Sequence, residues 1–413
     1  MWRYTYQLFL LSLALTLLVA CVAPATAPAV ATPAVAVGSV AMAAPTANLT
    51  DGCVETFDPA IDYFPEKIAL THADGFTVEY HNSYKVITVA TPWPGAETPE
   101  EYLLVQCGAP TPEGFDATQV IEVPLKSIVT MSTTYLPFLE AYGVLDRLVG
   151  IDDATYVNNP TVLQMAADGA IAQIGYGAGV NIEQILELAP DLVMTYGSGT
   201  PDYDAHPVLL NAGIKVALNA EWLATSPLGR AEWGKFIALF FNQEAAAEAL
   251  FAETVDRYAM LKTQAAAVTS KPTVFTDSEY QGTWFVAGGR SFTAQLLADA
   301  GAAYLWADDE STAGIPLAFE AVFDRAADAD YWINVGFVAS LAELQAGDER
   351  YRDFAALQNG NVWNNNKRVN ANGGSDYYES AAAHPDAVLA DLIAIFHPEL
   401  LPEHAFTYYH PLQ

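Results

Sequence analysis

Basic residues are scarce in this chain of 413 residues. It contains 17 lysines and arginines against 49 aspartates and glutamates, which gives a formal net charge of −32. A protein that binds nucleic acid needs a basic surface to neutralise phosphates, so this balance excludes nucleic acid as a partner. The acidic excess is typical of a protein kept soluble outside the cell, and it would also attract cationic ligands over long range.

The motifs of common enzyme classes are also missing. Ser198 lies in a Tyr-Gly-Ser-Gly-Thr stretch that lacks the GxSxG spacing of a hydrolase elbow, and no P-loop occurs. Gly175, Gly177 and Gly179 precede a predicted helix without the GxGxxG spacing of a dinucleotide site. The seven histidines include no HExxH and no close pair. We therefore expect a protein that is not an enzyme and has no resident cofactor or metal site.

The amino-terminal segment has the features of a secretion signal. Arg3 gives a positive charge, and the apolar run over residues 8–19 is too short to span a membrane. Small residues precede Cys21, a pattern that resembles the lipobox of bacterial lipoproteins and predicts acylation of that cysteine. An ordinary signal peptide or an uncleaved anchor, with an incidental cysteine, is the alternative. We assign residues 1–20 to a signal peptide and Cys21 to lipid attachment.

Residues 21–50 predict a tether. After Cys21 the segment consists almost entirely of Ala, Pro, Val and Thr, and the first charge is Asp51. Repeated prolines without alternating polarity favour an extended chain. A lipid, a tether and a globular body together predict an extracytoplasmic protein that touches the cell membrane only through its lipid, on a periplasmic or a cell-surface face.

Two further cysteines, Cys53 and Cys107, remain in the body of the chain. An even number of cysteines in an oxidising compartment favours a disulfide, which here would close a loop of about 55 residues. Two free thiols are the alternative.

The body exceeds one typical core, so two lobes are expected. Short β-rich runs separated by turn residues over 51–125 predict hairpins. Further along, strands alternate with helices, a pattern typical of a parallel sheet covered on both faces. We assign residues 51–225 to an N-terminal lobe and residues 271–413 to a C-terminal lobe.

The segment between the lobes predicts a connector. From 228 to 268 the chain has no proline and almost no glycine. This favours one helix of about 40 residues, or two nearly continuous ones, which would be longer than one lobe needs. We assign residues 226–270 to a long connecting helix.

Three segments carry a family resemblance: Gly-Tyr-Gly-Ala-Gly through Met over 175–194, Trp-Phe-Val-Ala-Gly-Gly-Arg-Ser onward over 284–301, and the Asp-Tyr-Tyr-Glu and His-Pro-Asp stretches over 376–392. In this order they resemble the class III periplasmic binding proteins, which include the ferric-siderophore, haem and vitamin B12 binding proteins of ABC importers. The likeness covers about residues 115–413. It implies an α/β fold of two lobes with mainly parallel sheets, joined by one long helix, with a ligand cleft between the lobes.

The resemblance also implies a function and a partner. The protein would bind an iron–siderophore or similar metal chelate and, as a monomer, deliver it to the permease dimer of an ABC transporter. Glu183 and Glu320 match the surface glutamates that dock onto permease arginines, although either could be an ordinary solvated glutamate near a helix start. Cobalamin, haem or a free metal ion are alternative ligands, and a lipoprotein hydrolase or a surface adhesin or sensor are alternatives of another class.

A chelate pocket should combine aromatic rings with a few arginines, at the loops where strands end. The residues that meet this description are Tyr135, Tyr176, Tyr196, Tyr203, Trp222, Arg230, Tyr280, Trp284, Arg290 and Tyr377. Any single Tyr or Trp could instead pack in the core, and Arg230 could instead pair with Glu221 or Glu232. Trp284 and Arg290 precede a predicted helix start, where anions bind readily.

Overall fold

Residues 44–413 are described by a computed structural model, in which they form one compact unit. The predicted signal peptide, Cys21 and most of the predicted tether lie outside the described residues. Among the helices of the described part, none is both long and apolar enough to cross a bilayer.

The β-rich segment forms a four-stranded sheet in the order β1-β2-β3-β4. Its strands are β1 (Phe76–Tyr80), β2 (Tyr84–Val89), β3 (Glu100–Gln106) and β4 (Val120–Val123). The first two pairings are antiparallel, as the hairpin prediction requires. The prediction is wrong for β4, which runs parallel to β3 because residues 107–119 carry the chain back along the sheet. A disulfide joins Cys53 to Cys107 at the end of β3.

The first lobe contains a five-stranded sheet in the order β7-β6-β5-β8-β9, with all pairings parallel. Its elements in chain order are β5 (Ile128–Thr130), α1 (Leu136–Ala141), β6 (Leu148–Ile151), α2 (Pro160–Ala167), β7 (Ala172–Gln173), α3 (Ile182–Leu188), β8 (Leu192–Thr195), α4 (His206–Asn211) and β9 (Val216–Leu218). Asn181 caps α3 by accepting a hydrogen bond from the Gln184 N–H. The predicted alternation of strand and helix is present.

The segment between the lobes contains three helices: α5 (Pro227–Glu232), α6 (Gly234–Leu239) and α7 (Glu244–Ala266). The first of the two predicted arrangements, one continuous helix, is not formed, because the chain leaves the helical conformation at Asn242, whose φ of 55° is left-handed. The Asn242 side chain donates hydrogen bonds from Nδ2 to Leu49 O at 2.8 Å and to Gln106 Oε1 at 3.0 Å. These contacts hold the chain in the conformation that breaks the helix.

The longest of these helices, α7, has 23 residues and is about 35 Å long. Ala247 near its start packs in the first-lobe core, whereas Tyr258, Leu261 and Ala265 pack in the second-lobe core. One rigid helix therefore belongs to both hydrophobic cores, which favours little movement between the lobes.

The second lobe contains a five-stranded sheet in the order β13-β10-β15-β16-β17 and a small antiparallel sheet, β11-β12-β14. Its elements in chain order are β10 (Thr273–Thr276), β11 (Glu279–Tyr280), β12 (Thr283–Ala287), α8 (Phe292–Asp299), β13 (Ala303–Tyr304), β14 (Gly314–Leu317), α9 (Phe319–Ala326), β15 (Tyr331–Ile333), α10 (Leu341–Gly347), α11 (Ala355–Gln358), β16 (Val362–Asn364), α12 (Asp376–Ser380), α13 (Pro385–Phe396) and β17 (His410–Pro411). Only β17 is antiparallel in the larger sheet. The predicted class, two α/β lobes with mainly parallel sheets, is confirmed.

A buried ion pair fixes the β-rich sheet to the start of α7. The Lys85 ammonium lies 2.7 Å from a Glu244 carboxylate oxygen, and neither side chain is exposed. Lys85 also donates to Leu239 O at 2.6 Å and to Asn242 Oδ1 at 2.9 Å, while Asn48 donates to the second Glu244 oxygen at 2.8 Å. All the charged atoms have partners, which is the condition under which a buried ion pair is tolerated.

Candidate ligand-binding cleft

A cavity of about 800 Å³ lies between the two lobes. Trp222 and Leu223, which follow β9, line its first-lobe side. Asp277 after β10, Phe285 in β12 and Phe292 at the start of α8 line its second-lobe side. The carboxyl ends of parallel strands therefore face the cavity, which is the usual ligand edge of an α/β sheet.

The β-rich segment lines a further side of this cavity with Asp74, Gly75, Ala90, Thr91 and Pro94. The sequence alone does not predict this role for the segment. A Cβ atom at Gly75 would come within 2.6 Å of the indole of Trp233, so the close approach of backbone to ring requires glycine there.

Glu232 holds this wall in place. Its buried carboxylate accepts hydrogen bonds from the backbone N–H groups of Thr71, His72 and Ala73 and pairs with Lys235 at 3.0 Å. Burial alone would raise the pKa of Glu232, but the N–H donors and Lys235 together hold that pKa below its ordinary value. The residues just before Asp74 are thus anchored to α5 and α6.

A smaller compartment of about 350 Å³ shares Trp222 with the main cavity. Tyr135, Tyr196, Glu221 and Arg230 also line it. Arg230 Nε lies 2.5 Å from a Glu221 oxygen, so the structure selects Glu221 over Glu232 as the partner of this arginine. The guanidinium also lies 5.0 Å from the centre of the Phe292 ring, across the interlobe boundary.

Two aspartates lie at the strand ends near these compartments. Asp152 follows β6 and Asp277 follows β10, and burial raises the pKa of each carboxyl to about 6. Asp277 also adopts a left-handed φ of 68°, which is uncommon for a residue other than glycine. Perturbed carboxyls in a cleft are typical of a functional site.

The structure brings five of the predicted ligand residues together. Tyr135, Tyr196, Trp222 and Arg230 line the smaller compartment, and Tyr377 meets Arg230 in an adjoining pocket of about 70 Å³. Tyr135 is almost fully buried and donates to Thr195 O at 3.1 Å, so only part of its surface faces the compartment.

The prediction for Trp284 is wrong. Its side chain is 0% exposed, stacks on Trp332 and donates from Nε1 to Thr276 O at 2.9 Å. Neighbouring residues of a strand point to opposite faces, and it is Phe285 that faces the cavity.

Other predicted residues lie outside the cavity lining. Arg290 is exposed and pairs with Glu310. Tyr176, Tyr203 and Tyr280 are exposed in loops or at a strand end. The sequence reasoning missed Phe285, Phe292 and Asp277. The position directly after β10 is a signal that could have identified Asp277.

The two predicted docking glutamates lie on separate lobes. Glu183 is exposed in the first turn of α3, and Glu320 is exposed in the first turn of α9. An Arg350 nitrogen lies 3.2 Å from the Glu320 carboxylate. Their predicted contact with a permease stays a prediction.

Within residues 44–413, one group of three side chains has the spacing of metal ligands: Cys53, Cys107 and Glu122. Its two sulfur atoms form the disulfide, and it does not line the cleft.

A polar seam joins the lobes beside a separate pocket of about 370 Å³. Asn370 Nδ2 donates to the carbonyl oxygens of Thr155 and Val157, each at 2.8 Å. The Asn158 N–H donates to Glu379 Oε2 at 2.6 Å. One first-lobe loop is thus held by side chains of the second lobe.

Burial is the main cause that raises the pKa of Glu379 to about 7, and the carboxylates of Asp376 and Glu140 act in the same direction against the Asn158 N–H. Arg368 pairs with Asp376 at 3.1 Å. The pKa of Glu379 in the folded protein lies above its ordinary value of 4.5, so the fold favours the protonated carboxyl. The stability that this gives is complete below about pH 4.5 and is lost as the pH rises through about 7.

Replacing Glu379 with glutamine keeps an acceptor for the Asn158 N–H and removes the charge. We expect the variant to be more stable than the wild type at about pH 8, by on the order of 1–3 kcal/mol, and equally stable near pH 4.5. His384 lines the same pocket, but burial lowers its pKa, so it titrates below Glu379. Thermal unfolding at the two pH values measures the difference. A variant less stable than the wild type at the higher pH would show that the ionised carboxylate holds the seam.

Comparison with known proteins gives the family. A sequence model described as periplasmic binding protein matches residues 128–369. A lipoprotein of Methanocaldococcus jannaschii is 27% identical over 298 residues, which cover 69% of this chain and 68% of the relative.

Solved structures show the same fold. A possible iron-binding (periplasmic solute-binding) protein from Staphylococcus epidermidis has a TM-score of 0.52 and 17% identity, covering 66% of this chain and 99% of that one. An ABC transporter substrate-binding protein from Listeria monocytogenes has a TM-score of 0.50 and 17% identity, with 66% and 99% covered. The matched family region spans more than half of the 413 residues, and the chain therefore belongs to the periplasmic binding protein family.

Proposed function

We propose that this protein is a lipid-anchored, extracytoplasmic binding protein that takes up a metal chelate, such as an iron–siderophore complex, and delivers it to the permease of an ABC transporter. The observation that carries the proposal is the interlobe cavity of about 800 Å³, with Trp222, Phe285 and Phe292 in its walls. A cavity of this size suits a whole organic molecule, whereas a bare ion needs only a few convergent ligand atoms.

Family membership supports binding without turnover. The family comprises solute-binding proteins, and α7 is shared by both cores, which suits a binder with a preformed cleft. A hydrolase would convert the bound molecule into products, and an adhesin would need no interlobe cavity. The S. epidermidis protein, described as a possible iron-binding protein, supports iron as part of the cargo. The L. monocytogenes protein, described as an ABC transporter substrate-binding protein, supports an ABC transporter as the partner.

The anchor is proposed from Cys21 and from the relative. The lipobox-like sequence before Cys21 and the lipoprotein of M. jannaschii both support acylation of that residue. Lipid attachment would keep the protein, as a monomer, close to its permease.

A thermal-shift screen of the full chain tests the proposal. The ligands are a ferric trihydroxamate, a ferric tricatecholate, ferric citrate, haem and cobalamin, with the free metal ions as controls. We expect stabilisation by about 2.7 kcal/mol when a bound chelate is present at about 100 times its Kd. A shift with cobalamin or haem alone would redirect the cargo assignment, and no shift with any chelate would contradict the proposal.

Charge reversal tests the docking role of Glu183 and Glu320. If the two carboxylates meet permease arginines, replacing both with arginine should reduce chelate transport by the reconstituted importer at least tenfold, because like charges then face each other. The Kd for the chelate should not change, since neither residue lines the cleft. The matched control is Glu187→Arg, also on α3 and exposed. Transport equal to that of the control would exclude the docking role.

A further inference from the structure

Charge is distributed unevenly in the cleft. Among the described residues that line the main cavity, Asp74 and Asp277 are acidic and none is basic. In the smaller compartment, the charge of Arg230 is balanced by Glu221 at 2.5 Å. Tyr135 and Tyr196 line that compartment. Burial raises the pKa of both tyrosines, and the nearby charge of Asp152 raises it further. The cleft therefore has a net negative field on a protein that is itself strongly acidic.

Asp277 is the acidic group best placed to act on a ligand. It lies directly after the carboxyl end of β10, it is mostly buried, and it is one of the residues that line the cavity. Its carboxyl interacts with the Thr276 side chain, and no basic group of residues 44–413 forms an ion pair with it. A buried carboxylate without a counter-charge is costly, and here burial raises its pKa to about 6.

The rings around Asp277 suit the same kind of ligand. Trp222, Phe285 and Phe292 line the same cavity as Asp277. Trp222 is 39% exposed and Phe285 is 49% exposed, so both can contact a ligand. Aromatic faces attract cations, and the attraction is stronger where water is excluded.

Resting on the proposed function, we infer that the cargo is a chelate with a positively charged group and that Asp277 binds this group. An ammonium group beside Asp277 would supply the positive counter-charge that the protein itself does not provide. An anionic chelate would meet two unpaired aspartates and a balanced arginine, so the cleft discriminates against it by repulsion.

The test uses three forms of one ferric trihydroxamate that differ only at a terminal amine: the free ammonium, the acetylated neutral form and the succinylated anionic form. Titration calorimetry gives the Kd of each for the full chain, and an anionic ferric tricatecholate is included. We expect the ammonium form to bind at least tenfold more tightly than the succinylated form. The preference should be lost in Asp277→Asn and retained in Asp256→Asn, which removes the same charge from an exposed position on α7 outside the cleft.

The outcomes separate the two proposals. Any other order of affinity, or binding of the tricatecholate alone, overturns the cationic cargo. A preference that survives Asp277→Asn overturns the role of Asp277. Each of these results leaves the chelate function in place. Failure of every chelate to bind contradicts the proposed function and this inference with it.

Discussion

Replacing Glu244 with glutamine is expected to lower the free energy of unfolding by about 3–5 kcal/mol. The substitution leaves the Lys85 ammonium without a counter-charge at a site where neither side chain is exposed. Burial already lowers the pKa of Lys85, which shows how strongly this site disfavours an unpaired charge. Equilibrium urea unfolding of both proteins measures the difference.

An exposed ion pair provides the matched control. Glu349 lies 3.0 Å from Arg352, and both side chains are mostly exposed. Glu349→Gln should cost about 0–1 kcal/mol, because solvent screens such a pair. Equal costs for the two substitutions would mean that the Lys85–Glu244 pair does not hold the β-rich sheet to α7.

Replacing Trp222 with alanine is expected to weaken chelate binding by about 2 kcal/mol, or roughly 30-fold. Trp222 borders both compartments, is 39% exposed and carries the largest ring system among the partly exposed residues there. Calorimetric titration with the chelate selected by the thermal-shift screen measures the change.

Tyr203→Ala is the control for this prediction. Tyr203 is an aromatic residue of the first lobe that is 65% exposed and does not line the cleft. Its replacement should leave the Kd unchanged. Similar effects of the two substitutions would show that the ligand does not occupy the cavity beside Trp222.

Local patterns were enough to predict much of the fold. The helix starts at Asn181 and Ser291 depend on local patterns of this kind, because a capping side chain and the helix it caps are neighbours in sequence. The break at Asn242 could not be found in this way. It depends on contacts with Leu49 and Gln106, which lie far away in sequence. The parallel pairing of β4 with β3 likewise depends on the path of a connection.

The site was only partly predictable for similar reasons. Positions at strand ends identified Tyr196 and Trp222, since the ends of parallel strands meet at one edge of a sheet. The choice between Trp284 and Phe285 required knowing which face of β12 is buried, and alternation alone does not give this. The wall formed by Asp74 and Gly75 follows from the docking of the β-rich sheet on α5 and α6.

Anomalous X-ray diffraction at the iron edge, from crystals grown with the selected ferric chelate, tests the central claim most directly. The account predicts one strong anomalous peak in the interlobe cavity, with the chelate in contact with Trp222, Phe285 and Phe292. A peak elsewhere on the protein, with the cavity free of chelate, would contradict it.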